Sequence, residues 1–348
     1  MEKYLFESEL ENVTPNRSII PAHSLTFAEN ALYVAEFIEV EHNKLFESIG
    51  INELAVYEST GMEIVYEGEQ LQTIKAKIVK FFTNAWEAIK GAIEKVIKWF
   101  EEKKKEVRDK FANELIERAT KASLEGVDPK KKFGTTHKYD IKVPDEACLR
   151  AFDFSRDVQS KFVDLAKSFK DEEKADQTAK IHDLKEDLMS KLIKEISGTD
   201  AGSIAEMSKQ LKKEMLGEQV TADKEWVSKH LNDMVDVVEK GASTKTFKRQ
   251  YNIVKQTINE CIRETKKFKD EQSIIISPCV SVLKSTVQCS NSIVNLTADV
   301  LKRRYHEYSH ILLSVSRLAA AKKEEKKATH ESTVVASQIE MIESAFGW

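Results

Sequence analysis

At 348 residues, 41% hydrophobic and 32% charged, the chain can form two or three domains and bury a core, which excludes wholesale disorder. Its 11 glycines and five prolines fall well under half of the roughly 12% usual for the two together, which excludes a turn-rich, many-stranded sandwich or barrel. No run of about 18 uncharged apolar residues reads as a membrane-spanning helix, and the acidic start MEKYLFESELENV lacks the apolar stretch of a secretory signal.

The net charge of −4 is unevenly spread. Residues 1–67 hold 13 acids against three bases, residues 68–138 hold 17 bases against 11 acids, and the remainder balances. An acidic head therefore precedes a basic segment. Cys148, Cys261, Cys279 and Cys289 stand far apart with no C-x-x-C pair. That spacing suits neither a disulfide framework nor a zinc knuckle, and it reads as reduced, buried thiols in a protein made in the cytosol.

The head, 1–67, opens irregularly around Thr14-Pro15 and Ile20-Pro21. A helix over about 24–49 follows, with Ser24 as its cap and Leu25, Ala28, Leu32, Ala35 and Ile38 on one face. The short runs 54–57 and 63–66 flank Ser59-Thr60-Gly61, a hairpin signal that also admits a helix–turn–strand reading. Over 68–127, Leu71, Ile74, Ile78, Phe82, Trp86, Ile89, Ile93, Val96 and Phe100 recur in steps of three and four. Lys75, Lys80, Lys90, Lys95 and Lys98 lie off that stripe. The pattern weakens at 101–105 and resumes at Val107, Phe111 and Leu115, which fits one long helix or two in line.

Residues 128–144 form a linker. Asp128-Pro129 opens a turn, 130–132 is a basic run, and Tyr139, Ile141 and Val143 alternate with polar residues as in a lone strand that could pair with the 54–66 region. From 145 to 327 the pattern predicts a helical bundle with breaks at 197–202, 217–222, 241–243 and Ser277-Pro278. Its last long helix, 278–327, ends in the run KKEEKK. A short tail helix, 328–348, carries Val334, Val335, Ile339, Ile342 and the terminal Trp348.

His306-Glu307-Tyr308-Ser309-His310 is an H-E-x-x-H string, which on a helix sets two imidazoles on one face around a glutamate that can serve as a general base beside zinc. Glu331 would be the candidate third ligand. Against this stand the cations Arg303 and Arg304, the charge run 322–327 before Glu331, and the helix's apolar stripe. That stripe, Val294, Leu301, Tyr305, Tyr308, Leu312 and Val315, leaves both histidines on the polar side. The string therefore reads as a solvated helix face, and no catalytic, cofactor-binding or metal residue is assigned. Phosphate-loop, dinucleotide and nucleophile-elbow motifs do not occur.

The stripe over 71–100, with Phe81, Phe82, Trp86, Trp99 and Phe100 among lysines, has the texture of an interfacial membrane helix and equally of a core-facing bundle helix. Glutamates 87, 94, 101 and 102 dilute its basic face, which favours packing against protein. Lys103–Lys105 and the run 130–132 are the basic clusters a nucleic acid could use, on a chain without a strongly basic footprint.

The segment INELAVYESTGMEIVYEGEQLQTIKAKIVKFFTNAWEAIKGAIEKVIKWFEE resembles the N-terminal parts of virion structural proteins of large tailed bacteriophages. Its FF-x-x-x-WEAIKG portion is similar to helical segments of phage tape-measure proteins. LTADVLKRRYHEYSHILLSVSRLA is similar to the last long helix of the same group. The likeness covers about 50–120 and 285–320. It implies a structural role in or on the capsid and carries over no site residues. Leu5-Phe6-Glu7 and Leu45-Phe46-Glu47 also fit the L-x-E pattern of prohead proteases, as do 184–186 and, with Ile for Leu, 262–264.

The expectation is thus a mainly α, multi-helix bundle with a small β element from about 54–66 and 137–143. Its function would be that of a non-enzymatic virion structural protein, made in the host cytoplasm. It would contact other virion proteins through its helices, with self-association, membrane contact through 71–100, or nucleic-acid contact as further partnerships. A membrane-active role in entry or ejection and a zinc-dependent peptidase are the alternatives.

Overall fold

A computed structural model describes residues 27–48, 69–106, 121–137, 144–169, 174–240, 244–269 and 273–346. The described chain is mainly α. Its helices in chain order are α1 (Phe27–Ser48), α2 (Glu69–Glu106), α3 (Asp145–Ser168), α4 (Lys174–Ser197), α5 (Ile204–Leu216), α6 (Lys224–Lys240), α7 (Thr244–Lys267) and α8 (Ser273–Phe346). A 3-10 turn (Lys121–Leu124) and two strands, β1 (Lys132–His137) and β2 (Gln219–Asp223), complete the described elements.

The helix α8 organises the rest. It touches α1, α3, α4, α5, α6, α7, α2, the 3-10 turn and β1. From Ile275 to Leu301 no described residue of it is exposed, with Ile275, Val282, Leu283, Ile293 and Val294 inaccessible to solvent, and beyond Leu301 it shows a wet side at Arg303, His306 and His310. A helix surrounded by others has no polar face to display. Several of its buried hydroxyls are satisfied within the helix: Thr286 donates to the Val282 carbonyl at 3.0 Å, Ser290 to the Thr286 carbonyl at 2.9 Å and Thr297 to the Ile293 carbonyl at 2.9 Å. These short side chains let neighbouring helices approach closely while their own hydroxyls stay paired.

Around this axis the amphipathic helices turn their stripes inward. α2 buries Leu71, Ile74, Ile78, Phe82, Ile89, Ile93, Val96 and Phe100, and it lies against α1 and α7. α3 buries Cys148, Ala151, Phe154, Val158 and Phe162. α5 opens on a capping box, in which Ser203 Oγ accepts from the Glu206 N–H and the Glu206 carboxylate accepts from the Gly202 N–H. It closes at Gly217, whose φ of 62° suits glycine. Buried residues from every helix belong to one contiguous core.

The β element is present, but its strands are not the expected pair. β1 and β2 run antiparallel with Thr135 opposite Thr221 and His137 opposite Gln219, and an irregularity falls between Lys132 and Gly134. The strand begins at Lys132, in the basic run that was given no strand, ahead of the alternating stretch 139–143. Its partner is the QVTAD stretch, read as a break because five residues beside a glycine carry little signal of their own. Segments 54–66 and 138–143 lie outside the described residues, as does 107–120, where the α2 pattern resumes.

Two expected interruptions of α8 are absent. Pro278 sits inside the helix. It is the sixth residue, so the missing N–H forfeits one bond near a helix start. The run 322–327 does not end the helix either, since lysine and glutamate are good helix formers, and α8 continues through Phe346.

All four cysteines are buried and free. Burial pushes the Cys148 and Cys289 thiols up to about 12 and raises those of Cys261 and Cys279 well above the ordinary thiol value. Such thiols are poor nucleophiles. A thiol-reactive dye should label all four in urea and leave the native protein unmodified over the same time. Rapid labelling of the native protein would contradict this burial.

Candidate functional site

The H-E-x-x-H string lies on α8 where β1 crosses it. The two elements meet at Gly134, which at φ 153° takes a backbone conformation that side-chain-bearing residues rarely adopt and lies next to His310 and Ile311. Glu307 is the hub of this crossing. One carboxylate oxygen accepts from Thr136 Oγ1 at 3.0 Å and from the His137 N–H at 3.1 Å. The other lies 2.8 Å from His137 Nδ1 and accepts from Arg303 Nε at 3.1 Å. The His137 and Glu307 side chains are only 10% and 16% exposed. The carboxylate that a peptidase would use as its base is thus engaged on both oxygens in fastening the sheet to the central helix.

The two histidines of the string go separate ways. His306 lies against Trp99, ring centroids 5.5 Å apart. His306 is exposed like His310, yet the partial burial of its ring against Trp99, with Lys302 and Lys103 nearby, holds its pKa below the ordinary histidine value. An imidazole placed near two lysines is a poor seat for a dication. His310 is exposed beside Gly134. The Glu331 side chain lies outside those described. Among the described residues, no group of three or more His, Cys, Asp or Glu side chains is placed to hold a metal ion.

The aromatic–lysine stripe of α2 meets its own chain. Trp86 packs on Tyr251 of α7 at 5.2 Å between ring centroids, with Lys255 Nζ 6.0 Å from its ring. Trp99 meets Tyr305 of α8 at 5.6 Å, with Lys302 Nζ 5.3 Å from its ring. Phe81 and Phe82 are buried. Phe81, Phe82 and Phe100 are thus enclosed by the bundle, and Trp86 and Trp99 are half-buried against it. No helix among the described residues is long and apolar enough to cross a membrane.

A polar cleft of about 770 Å³ opens between α3 and α7. Its walls carry Asp153, Asp157, Asp164, Glu260 and Glu264 against Arg156, Lys167, Arg263, Lys267 and Lys269. These charges largely answer one another. Arg263 Nε pairs with Glu264 at 3.0 Å, Arg156 with Glu260 at 3.8 Å, and Lys167 with Asp164 at 2.8 Å. Gln159 also lines the cleft, 3% exposed, with neither end of its amide hydrogen-bonded. The arrangement offers a self-neutralised polar groove and no nucleophile–base pair. Sequence reading passed over it because paired charges at helical spacing look like any wet face. The one available signal was Gln159, a polar residue at a position the α3 stripe assigns to the core.

No protein-family model matches the chain, and no curated protein and no solved structure is significantly similar to it.

Proposed function

We propose that the protein is a non-enzymatic structural component of a tailed-phage particle, a helical strut that holds other particle proteins through its helix surfaces. The observation that carries this reading is the length of α8. Its 74 residues measure about 110 Å at about 1.5 Å per residue, roughly twice the diameter of about 50 Å expected of a globule of this chain length. A rod longer than the body it organises suits spacing and scaffolding rather than enclosing a substrate. The fate of Glu307 supports the same reading, since the most enzyme-like string in the sequence serves to fix a sheet.

Mass spectrometry of purified particles from the source phage tests the proposal. The expected result is the protein at a fixed copy number per particle, retained after high-salt washing. Absence from particles, or a trace amount removed by washing, would overturn it.

A further inference from the structure

We propose that α1 is an acid-released cover on the bundle: protonation of His42 undocks α1 from α2 and α8 while the remaining core stays folded. The inference starts from a polar side chain in an apolar place. His42 is 1% exposed and neither ring nitrogen has a hydrogen-bond partner. Its ring lies against Phe46 of its own helix at 4.3 Å and Phe81 of α2 at 5.8 Å. A neutral imidazole can be held there, but an imidazolium would be a buried cation with no acceptor.

The surrounding charges oppose protonation. Lys284 of α8 and Lys185 of α4 both disfavour a positive ring, while Glu39 and, more weakly, Asn43 of α1 favour it without offsetting burial. Glu39 is already engaged, accepting from Lys284 Nζ at 3.0 Å and from Gln288 Nε2 at 3.1 Å. Burial and then Lys284 bring the His42 pKa down to about 4. The neighbouring carboxylates do not share its pH window. For Glu39, burial alone would raise the pKa, but Lys284 and Gln288 hold it below the usual range. For Glu41, burial is likewise outweighed, by Asn84, Lys44 and Lys80.

The sign follows from linkage. The docked value lies below the value of about 6.5 that a released His42 would have, so docking is at full strength above that value and weakens as pH falls toward about 4. Between pH 7.5 and 5.0 the population of released α1 should rise about 30-fold. Release uncovers Ile38, Leu45 and Phe46 of α1 and the Phe81 region of α2, surfaces that are buried when α1 is docked. The aromatic half of the α2 stripe would then be available to a partner only after acidification.

Hydrogen–deuterium exchange by mass spectrometry on the full chain at pH 7.5 and 5.0, corrected for the intrinsic pH dependence of exchange, tests this. The expected result is about a 30-fold rise in opening for peptides covering 33–46, no comparable rise for peptides covering 282–297, and a rise under twofold for α1 in His42→Phe. His42→Leu serves in the same assay if the Phe variant does not fold at pH 7.5. An equal rise in the variant, no rise in the wild type, or a parallel rise in the α8 peptides would overturn the proposal.

Discussion

Phe82→Ala should lower the unfolding free energy by about 3–5 kcal/mol, the cost of emptying a fully enclosed aromatic site. Phe82 is inaccessible to solvent and meets Phe81 at 5.0 Å between ring centroids. Losing its ring removes both the transfer energy and close contacts that the surrounding helices cannot fully re-form. The comparison with Trp86→Ala sharpens the prediction. Trp86 is only half-buried, stacked on Tyr251 under Lys255, so its truncation should cost about 1–2 kcal/mol. Urea denaturation of the two variants measures the difference. If the stripe were wet in the isolated protein and reserved for a membrane, Phe82→Ala would leave the midpoint unchanged, and Trp86→Asp would be as stable as the wild type.

Glu307→Ala should cost about 3 kcal/mol, because it strands the Thr136 hydroxyl, the His137 N–H and the His137 ring in a largely enclosed crossing. Those three groups and Arg303 share a single carboxylate. Glu307→Gln keeps one acceptor and should recover about half of the loss. The pair of variants separates the two roles this residue could have. In a zinc peptidase, replacing the base abolishes hydrolysis and leaves the fold intact. Here the loss should appear in the thermal midpoint and in hydrogen exchange of β1, with Thr136→Val giving a smaller shift in the same direction. An unshifted midpoint in Glu307→Ala would show that the clasp contributes little.

The parts of the fold legible in the sequence were those with one wet side. α2 alternates buried and exposed positions at the helical period, and its stripe was read directly. In α1, by contrast, only Ile38 of the expected face is buried among the described side chains, with Val34, Leu45 and Phe46 beside it. The stripe Leu301, Tyr305, Tyr308, Leu312 and Val315 of α8 was as legible as that of α2, and all five are buried. The first third of α8 could not be read in the same way. Ser281, Ser285, Ser290, Asn291 and Asn295 look like polar-face residues, yet all are buried, because helices flank α8 on every side. Ser277-Pro278 looked like a stop, but a proline this close to a helix start costs little. The pairing of β1 with β2 and the bond from His137 to Glu307, 170 residues away in sequence, were invisible for a different reason. Each depends on where distant segments meet, and neither short strand announces itself locally. Leu45-Phe46, read as part of a protease recognition pattern, proved buried within α1, so cleavage there would first require that helix to open. His42 carried a signal that went unused: it continues the buried spacing of Val34 and Ile38, where an ionisable ring is out of place.

The dependence of nearly every element on α8 has a consequence for biosynthesis. On the ribosome, α8 is translated after all the other described elements, so the nascent chain carries the unfinished stripes of α1 to α7 with no axis to bury them against. At about 5–20 residues per second, the 74 residues of α8 take roughly 4–15 s to emerge. During that interval Phe82, Phe154, Phe162 and Phe247, all buried in the finished protein, would be candidates for chaperone capture. A ribosome stalled before residue 273 should display a collapsed, protease-sensitive chain, and one stalled past about residue 350 of a C-terminally extended version should display the protected fold. A nonsense codon anywhere before α8 would therefore remove the whole protein from the soluble pool rather than leave a shorter working one.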